Sequence, residues 1–328
     1  MKKIFIFFLL LFNTLLLSNE LKIDVLCRLN IKKPDDIAFS KNKFVISYPK
    51  KFIVYDFQGK KIMKVDKLKN ASERKILISN NKFINILNHK NLIRIFQSKK
   101  LIKTINLKKK DIYVIFSCIK NSDESLMMLV SKLKKKNKEK YFEHCLIKIN
   151  LKTEKINNVY SFAKVKANLD YIFNINPINK KMGNIVLSYD KLIFLNEKGL
   201  EIHNFKNEKL SVYDINLPVL PVDEDIKNYY KEKLSKFFKL YFPDKLPKIY
   251  QLFVLGENKF LIDSWEEKLN RIKNNKIKYH KLYYFEKGKM IILITDINPE
   301  NILKVNHKIL AYYKDSELVV GKIVIEKE

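Results

Sequence analysis

Short apolar runs separated by polar turns recur along almost the whole chain. Residues 44–48, 52–57 and 61–65, for example, follow one another with only a few polar residues between them. The runs are rich in β-branched and aromatic residues, which favour strands, and such short gaps leave no room for crossover helices. The pattern therefore predicts antiparallel meanders. Strand groups that recur about every 40–50 residues are typical of a β-propeller.

Six strand groups are predicted. They span residues 36–66, 74–107, 111–162, 171–217, 249–297 and 301–327. The last group holds only three strands, while an extended segment at 22–30 precedes the first group. Because a propeller closes best when one end of the chain completes the blade made by the other, we expect 22–30 to pair beside 318–327. The prediction is an all-β, six-bladed β-propeller of four-stranded antiparallel blades, forming one domain over residues 21–328.

One segment between the fourth and fifth groups breaks the strand pattern. Residues 223–241 carry apolar side chains at helical spacing with lysines opposite, and the apolar positions are Ile226, Tyr230, Leu234, Phe237 and Tyr241. Asp223 suits the N-cap, and Pro243 cannot continue a helix. We predict an inserted helix at 223–241 whose apolar stripe packs on the propeller. A partner-binding or lid role is the alternative.

The C-terminal third of the chain has a distinctive order of segments. A charged helix is followed by Phe242-Pro243, Leu246-Pro247 and a strand pair at 249–255 and 259–263, and the order continues through the segments 282–289, 302–305, 308–313 and 318–325. This order resembles a family of exported bacterial six-bladed β-propellers related to NHL-repeat proteins. It implies a propeller fold and export. Members of this family are mostly uncharacterised, so the resemblance implies no activity.

The first twenty residues have the pattern of a secretory signal peptide. Lys2 and Lys3 precede an apolar run over residues 4–17, and Ser18 is a small residue suited to the position before a cleavage point. The run is also short for a membrane span. We expect export to the periplasm or the cell exterior with removal of residues 1–20. An uncleaved membrane anchor is the alternative.

The cysteine pattern does not indicate a disulfide scaffold. There are three cysteines, without the Cys/His spacing of a zinc site. Cys27 is interpreted as a residue of the first strand rather than a lipid attachment site. Cys118 and Cys145 are either buried thiols, which is the favoured interpretation, or a disulfide between strands of one blade.

The chain is strongly basic, with 65 Lys and Arg against 35 Asp and Glu and a net charge of +30. Only four of the basic residues are arginine, whereas proteins that recognise nucleic acid usually rely on its bidentate fork. Lysines on strand edges also hinder edge-to-edge aggregation. We therefore predict a solvated basic surface and no specific nucleic-acid partner. An envelope protein or an anionic polymer remains open as the partner of a monomer.

Catalytic motifs are missing from the sequence. It contains no nucleophile elbow, phosphate-binding loop, dinucleotide fingerprint or His-Glu-x-x-His pattern, and the five histidines are scattered. A divalent cation in the central channel is conceivable through aspartates near strand ends, but such residues more often form turns. We therefore assign no catalytic residue, metal ligand or cofactor. The aspartates in question are Asp36, Asp111, Asp170, Asp263 and Asp296.

Three residues are candidates for contact with a ligand or partner. Trp265 follows a predicted strand and precedes a loop, where an exposed indole would serve as an anchor. Tyr229 and Lys233 lie on the predicted helix, and the loops 132–140 and 264–278 are further candidates for recognition. The function predicted is an exported, non-catalytic binding or protein-interaction module of the cell envelope. The alternative is a propeller hydrolase or lyase that uses a channel metal on a polysaccharide or small ester.

Overall fold

The computed structural model describes residues 19–66, 74–79, 82–87, 90–136, 139–166, 174–175, 185–188, 191–195, 199–234, 239–274 and 277–326. The predicted leader falls almost entirely outside these residues. The chain forms two compact units. Unit 1 contains Met1–Lys33 and Ile249–Glu328, and unit 2 contains Pro34–Lys248.

Strands account for most of the described chain. The first thirteen are β1 (Glu20–Asn30), β2 (Asp36–Phe39), β3 (Lys43–Tyr48), β4 (Lys51–Asp56), β5 (Lys61–Val65), β6 (Arg74–Ser79), β7 (Lys82–Leu87), β8 (Leu92–Gln97), β9 (Lys100–Asn106), β10 (Ile112–Ser122), β11 (Ser125–Lys136), β12 (Glu139–Asn150) and β13 (Ile156–Lys166). The others are β14 (Asn174–Ile175), β15 (Ile185–Ser188), β16 (Lys191–Leu195), β17 (Gly199–Asn204), β18 (Lys209–Asp214), β19 (Lys239–Leu240), β20 (Ile249–Gly256), β21 (Lys259–Ser264), β22 (His280–Glu286), β23 (Lys289–Thr295), β24 (Ile302–Asn306), β25 (Ile309–Lys314) and β26 (Glu317–Glu326). Two α-helices interrupt them, α1 (Glu224–Leu234) and α2 (Trp265–Lys273).

Unit 2 is propeller-like, with four blades of four antiparallel strands each. Blade 1 is β2–β5, blade 2 is β6–β9, blade 3 is β10–β13 and blade 4 is β15–β18. Both faces of an inner strand are apolar because neighbouring blades bury them. The Phe52 ring of blade 1, for example, lies 5.4 Å from the rings of Phe83 and Phe96 in blade 2. The runs of apolar residues along the sequence are therefore blade interfaces.

The prediction of six separate blades is wrong. The described residues form four blades, and the strands of the last two predicted groups belong to one eight-stranded sheet in unit 1, with the order β20-β21-β22-β23-β1-β26-β25-β24. The sheet is continuous because Glu20 at the start of β1 pairs in parallel with Ile294 of β23. The Ile294 amide also donates to the carbonyl of Asn19 at 3.0 Å. The first strand of the chain thereby joins two groups of strands that the sequence pattern separates.

The pairing expected between the N-terminal segment and the C-terminal strand is found in the structure. β1 runs antiparallel to β26 from Glu20↔Glu326 to Asn30↔Glu317, with a bulge between Val25 and Cys27. Gly321 lies opposite this bulge. A Cβ atom there would lie 2.3 Å from Ile23 Cγ2, so only glycine allows the two strands to approach this closely.

Helix α1 is shorter than expected. Asp223 Oδ1 accepts the Ile226 amide at 3.0 Å as an N-cap, and the side chains of Ile226 and Tyr230 are buried as the apolar stripe predicts. The helical prediction through residue 241 is wrong, because β19 pairs in parallel with β14 and Tyr241 is exposed. Phe237 lies outside the described residues. Backbone pairing of the extended residues Lys239 and Leu240 thus takes the place of helix at the end of the predicted segment.

A second helix occupies part of the segment expected to be a loop at 264–278. Ser264 caps α2 by accepting the Glu267 amide at 3.2 Å, with acidic residues in its first turn and basic residues in its last. The other expected loop, 132–140, consists largely of the ends of β11 and β12. Prediction of a single helix is therefore wrong, and both recognition loops are mainly regular structure.

The three cysteines are buried thiols, which confirms the favoured interpretation over a disulfide. Cys118 and Cys145 belong to the apolar core that blades 2 and 3 share. Burial raises the pKa of the Cys145 thiol to about 11. These residues therefore serve packing.

Candidate functional site

Trp265 does not have the exposed position that its sequence context indicates. It is the first residue of α2, its side chain is 2% exposed, and its ring packs edge to face against Tyr250 at 4.9 Å. The expectation of an exposed indole is wrong, because Trp265 begins a helix and its ring is buried against Tyr250 of β20. Its contact with a ligand remains an untested prediction.

Tyr229 and Lys233 meet on α1 as neighbours one helical turn apart. The Lys233 ammonium donates to the Tyr229 hydroxyl at 2.6 Å and lies 3.8 Å from the centre of its ring. Lys233 is exposed and Tyr229 half-buried. This pair is available at the surface of unit 2.

The aspartates near strand ends have local structural partners. Asp36 accepts the Ile76 amide at 2.8 Å, and Asp296 pairs with Lys314 at 3.1 Å. Asp111 adopts a left-handed conformation after a short 3-10 helix, while Asp170 lies outside the described residues. Within the described ranges, no three His, Cys, Asp or Glu side chains gather as metal ligands would.

Unit 1 contains a cluster of buried charges around α2, which we call the α2 cluster. Arg271 donates to Asp263 at 2.5 Å, and Lys268 pairs with Glu300. The side chains of Asp263, Arg271 and Lys268 are at most 5% exposed. Burial raises the pKa of Asp263 to about 6 against the opposing effect of the Arg271 guanidinium, and burial also lowers the pKa of His280.

Titratable groups with shifted pKa values often mark functional sites, but the two groups of the α2 cluster whose pKa values are shifted are buried. His280 is 5% exposed and Asp263 is fully buried, so a substrate has no path to either group. Structural ion pairs shift pKa values in the same way. We therefore assign the α2 cluster to the stability of unit 1.

A cleft between blades 2 and 3 is the best candidate for a binding site among the described residues. Its volume is about 330 Å³. Buried side chains of the shared core form its floor, and lysines of both blades with two carboxylates of blade 3 form its rim. The lining residues are Lys82, Ile84, Ile95, Ile102, Lys103, Asp123, Glu124, Leu151 and Lys152.

Contacts between the two blades hold the walls of this cleft. The Lys103 ammonium of blade 2 donates to the Lys152 carbonyl of blade 3 at 2.7 Å and pairs with Glu154 at 3.2 Å. On the other side, the Ser79 hydroxyl donates to the Asp123 carbonyl at 3.0 Å. The cleft is therefore preformed, with an apolar floor between fixed polar walls.

The sequence analysis missed this cleft. Its residues lie on strands and turns of two blades, and only the packing of these blades brings Lys82 near Lys152. One local signal marks a wall, because Asn150 Oδ1 accepts the Lys152 and Thr153 amides and so forms a turn that projects Lys152. Such turns are common, and the signal does not identify a site.

Comparison with known proteins gives only weak likenesses. No protein-family model and no curated protein matches the chain. Among solved structures, BamB from Moraxella catarrhalis has a TM-score of 0.40 at 11% identity, covering 87% of this chain and 84% of that one. Kluyveromyces lactis Hsv2 has a TM-score of 0.41 at 12% identity, covering 90% and 91% of the two chains.

A third likeness is to PorZ, an essential bacterial surface component of the type-IX secretion system of Porphyromonas gingivalis. Its TM-score is 0.43 at 11% identity, covering 94% of this chain and 39% of PorZ. Likenesses of this strength carry no argument about function. The assignment of a propeller-like fold rests on the sheets of unit 2, and the relation to NHL-repeat proteins remains a prediction.

Neither of the two α-helices in the part of the chain that the structure describes has the length and apolar character to cross a bilayer.

Proposed function

We propose that this chain is an exported, non-catalytic module that binds a polypeptide partner in the cell envelope through the cleft between blades 2 and 3. The observation that carries the proposal is the cleft itself, with its apolar floor and charged rim. Export rests on the leader-like pattern of residues 1–20 and is a proposal of its own.

The size and lining of the cleft suit a side chain presented by a polypeptide. A volume of about 330 Å³ is at the small end of ligand pockets, which is enough for one large apolar side chain. Binding energy at protein interfaces concentrates in such anchors, surrounded by polar contacts that exclude water. Lys82 and Glu124 on the rim offer both signs of charge to residues flanking the anchor.

A substitution at the lip of the cleft tests the proposal. Ile102 is 45% exposed on the outer strand of blade 2, and Ile102→Arg would place a long cation in the cleft. Ile62→Arg is the matched control, because Ile62 is 56% exposed on the outer strand of blade 1. We expect crosslinked pull-down from the native envelope to lose its partner with Ile102→Arg alone. Equal recovery with both variants would reject the cleft as the site.

Tyr229 and Lys233 are proposed as a second partner contact. A Tyr229→Ala variant in the same pull-down should weaken recovery if α1 contributes, and unchanged recovery would remove α1 from the interface.

Export needs its own measurement. N-terminal sequencing of the protein from the envelope fraction should find a chain that starts near Leu21. Recovery of the full chain only from the cytoplasm would reject export while leaving the cleft proposal intact.

A further inference from the structure

Blade 3 is much longer than its neighbours. Its strands have 11 or 12 residues, whereas those of blades 1, 2 and 4 have four to seven. Pairing of β10 with β11 begins at Ile112↔Lys132, so β11 continues past β10 from there. Residues 133–135 and 140–142 pair with each other and form what we call the hairpin tip. Beside it lie β13, which pairs with β12 from Tyr141 onward, and the Asp111 carbonyl, which accepts the Leu133 amide at 2.9 Å.

The side chains change character where β11 leaves the core. Residues 126–130 are buried between blades, and the strand then continues as Lys-Leu-Lys-Lys-Lys from Lys132. An apolar strand of this length would aggregate if it projected into water. Lys132 is still buried, whereas Lys134 is partly exposed and Lys135 exposed, so the hairpin leaves the blade interfaces after Lys132.

Both faces of the hairpin tip carry lysines. Lys134 shares one face with Tyr141 and with Lys164, whose ammonium lies 6.0 Å from the centre of the Tyr141 ring. The carboxylates of Glu139 and Glu143 lie on this same face. Lys135 and Lys140 share the other face and stand directly opposite each other, both exposed. Like charges directly opposite across two strands destabilise a sheet unless an anion lies between them.

Apolar side chains accompany the lysines. Leu133 and Phe142 are paired across the strands and lie on the same face as Lys135 and Lys140. Both are partly exposed. Cations next to partly exposed aromatic and aliphatic groups are the combination that binds at a membrane interface.

We propose that the hairpin tip binds the anionic headgroups of a phospholipid surface. Lys134, Lys135, Lys140 and Lys164 would contact phosphate groups, and Leu133 and Phe142 would contact the boundary of the acyl chains. A layer of headgroups surrounds a protruding hairpin and reaches both of its faces. An acidic polypeptide segment lying on one face would leave the lysines of the other face unmatched.

Vesicle binding tests this proposal with the whole chain. The protein is sedimented with vesicles of phosphatidylcholine alone or with roughly one third phosphatidylglycerol, so that any contribution of the apolar leader is common to all samples. Each lysine near an anionic surface contributes about fivefold to binding, so Lys135→Gln/Lys140→Gln should weaken the phosphatidylglycerol-dependent part about 25-fold. The increase in binding that phosphatidylglycerol causes should also fall at high salt.

The matched control removes the same charge elsewhere. Lys60 and Lys61 are exposed at the turn between β4 and β5, and Lys60→Gln/Lys61→Gln should retain most of the binding. Equal losses in the two double variants, or no dependence on phosphatidylglycerol, would overturn the proposal. Binding of the protein to soluble polyglutamate at matched ionic strength, without binding to phosphatidylglycerol vesicles, would assign the surface to an acidic polypeptide instead.

Contact of the tip with the bilayer is a second readout. The native cysteines are buried, so Lys135→Cys can be labelled selectively with a polarity-sensitive dye. Its emission should shift to the blue on phosphatidylglycerol vesicles, whereas the same dye at Lys60→Cys should not respond. A response at both positions or at neither would count against docking through the tip.

Discussion

The α2 cluster in unit 1 and the hairpin tip in unit 2 use the same residue types for opposite purposes. In the α2 cluster, each buried cation has a carboxylate partner, Arg271 with Asp263 and Lys268 with Glu300. At the hairpin tip, Lys135 and Lys140 are exposed and lie directly opposite each other across β11 and β12. Burial decides between these arrangements, since a charge removed from water needs an opposite charge and an exposed one does not.

The difference shows which charges are tied to stability and which are available for binding. Removing one partner of a buried pair leaves the other charge desolvated, whereas removing one of two exposed like charges relieves repulsion. Removal of a charge should therefore lower the free energy of unfolding in the α2 cluster and raise it at the hairpin tip. Four measurements test this contrast.

The largest effect should come from Arg271→Met. The variant leaves the fully buried Asp263 without its cation, which should lower the free energy of unfolding by about 3–5 kcal/mol. Urea denaturation measures the change. Lys273→Met, an exposed position on the same helix, should stay within about 0.5 kcal/mol of wild type. Similar losses in both variants would show that helix α2, rather than the buried pair, determines the result.

The second effect depends on pH. The pKa of Asp263 is about 6 in the folded protein, whereas in the unfolded chain it is near the ordinary value of 3.8. The folded state thus binds more protons between about pH 4 and 6, and the contribution of Asp263 to the free energy of unfolding falls as pH rises through this window. The difference in the free energy of unfolding between wild type and Asp263→Asn, measured by urea denaturation, should fall by roughly 2–3 kcal/mol from about pH 4 to pH 6.

Groups that the wild type and this variant share cancel in that difference. His280 is one of them, and its lowered pKa gives the opposite slope, since the unfolded chain takes up its proton first as pH falls. A difference that grows between pH 4 and 6 would mean that Arg271 outweighs burial and that the Asp263 pKa lies below its ordinary value.

A smaller loss is expected from Glu300→Gln. Lys268 is 3% exposed and would lose this carboxylate partner, at a cost of about 1–3 kcal/mol. Glu326→Gln breaks the exposed pair of Glu326 with Lys22 in the same unit and should leave the urea midpoint unchanged within error. Equal losses in the free energy of unfolding for the two substitutions would contradict the contrast between buried and exposed ion pairs.

The smallest effect should have the opposite sign. Lys140→Gln removes the repulsion with Lys135 and should raise the free energy of unfolding by about 0.2–1 kcal/mol at low salt. The gain should shrink as salt screens the lysines, and Lys60→Gln should show no comparable gain. Destabilisation by Lys140→Gln would indicate that this lysine has a partner within the fold.

Much of the fold follows from local signals along the sequence. Runs with β-branched and aromatic residues identify the strands, and the apolar stripe of α1 correctly places Ile226 and Tyr230 in the core. Helix α2 also had a readable signal, since Ser264 and Glu267 have the spacing of a capping box, which was missed because the surrounding residues suggest a loop. The joining of the last strands into one sheet depends on Glu20 meeting Ile294 and has no local signature.

The candidate binding surfaces are less predictable. A cleft between two blades depends on how side chains such as Ile102 and Lys152 meet after folding, and neither residue belongs to a motif. The lysines at 132–140 were visible in the sequence, but their arrangement on two faces required the register of β11 and β12. Trp265 shows the converse, because its isolated position suggested exposure and the tertiary structure buries it.

The position of β1 within the sheet of unit 1 has a consequence for how the protein is made. Every described strand pair of unit 2 forms between residues 34 and 248, so unit 2 can begin to fold while synthesis continues. β1 is synthesised well before its main partner β26, because all of unit 2 lies between them in the sequence. Contacts so distant in sequence form slowly. β1 therefore stays without this partner while unit 2 is synthesised, and it needs protection from other strand edges during that time.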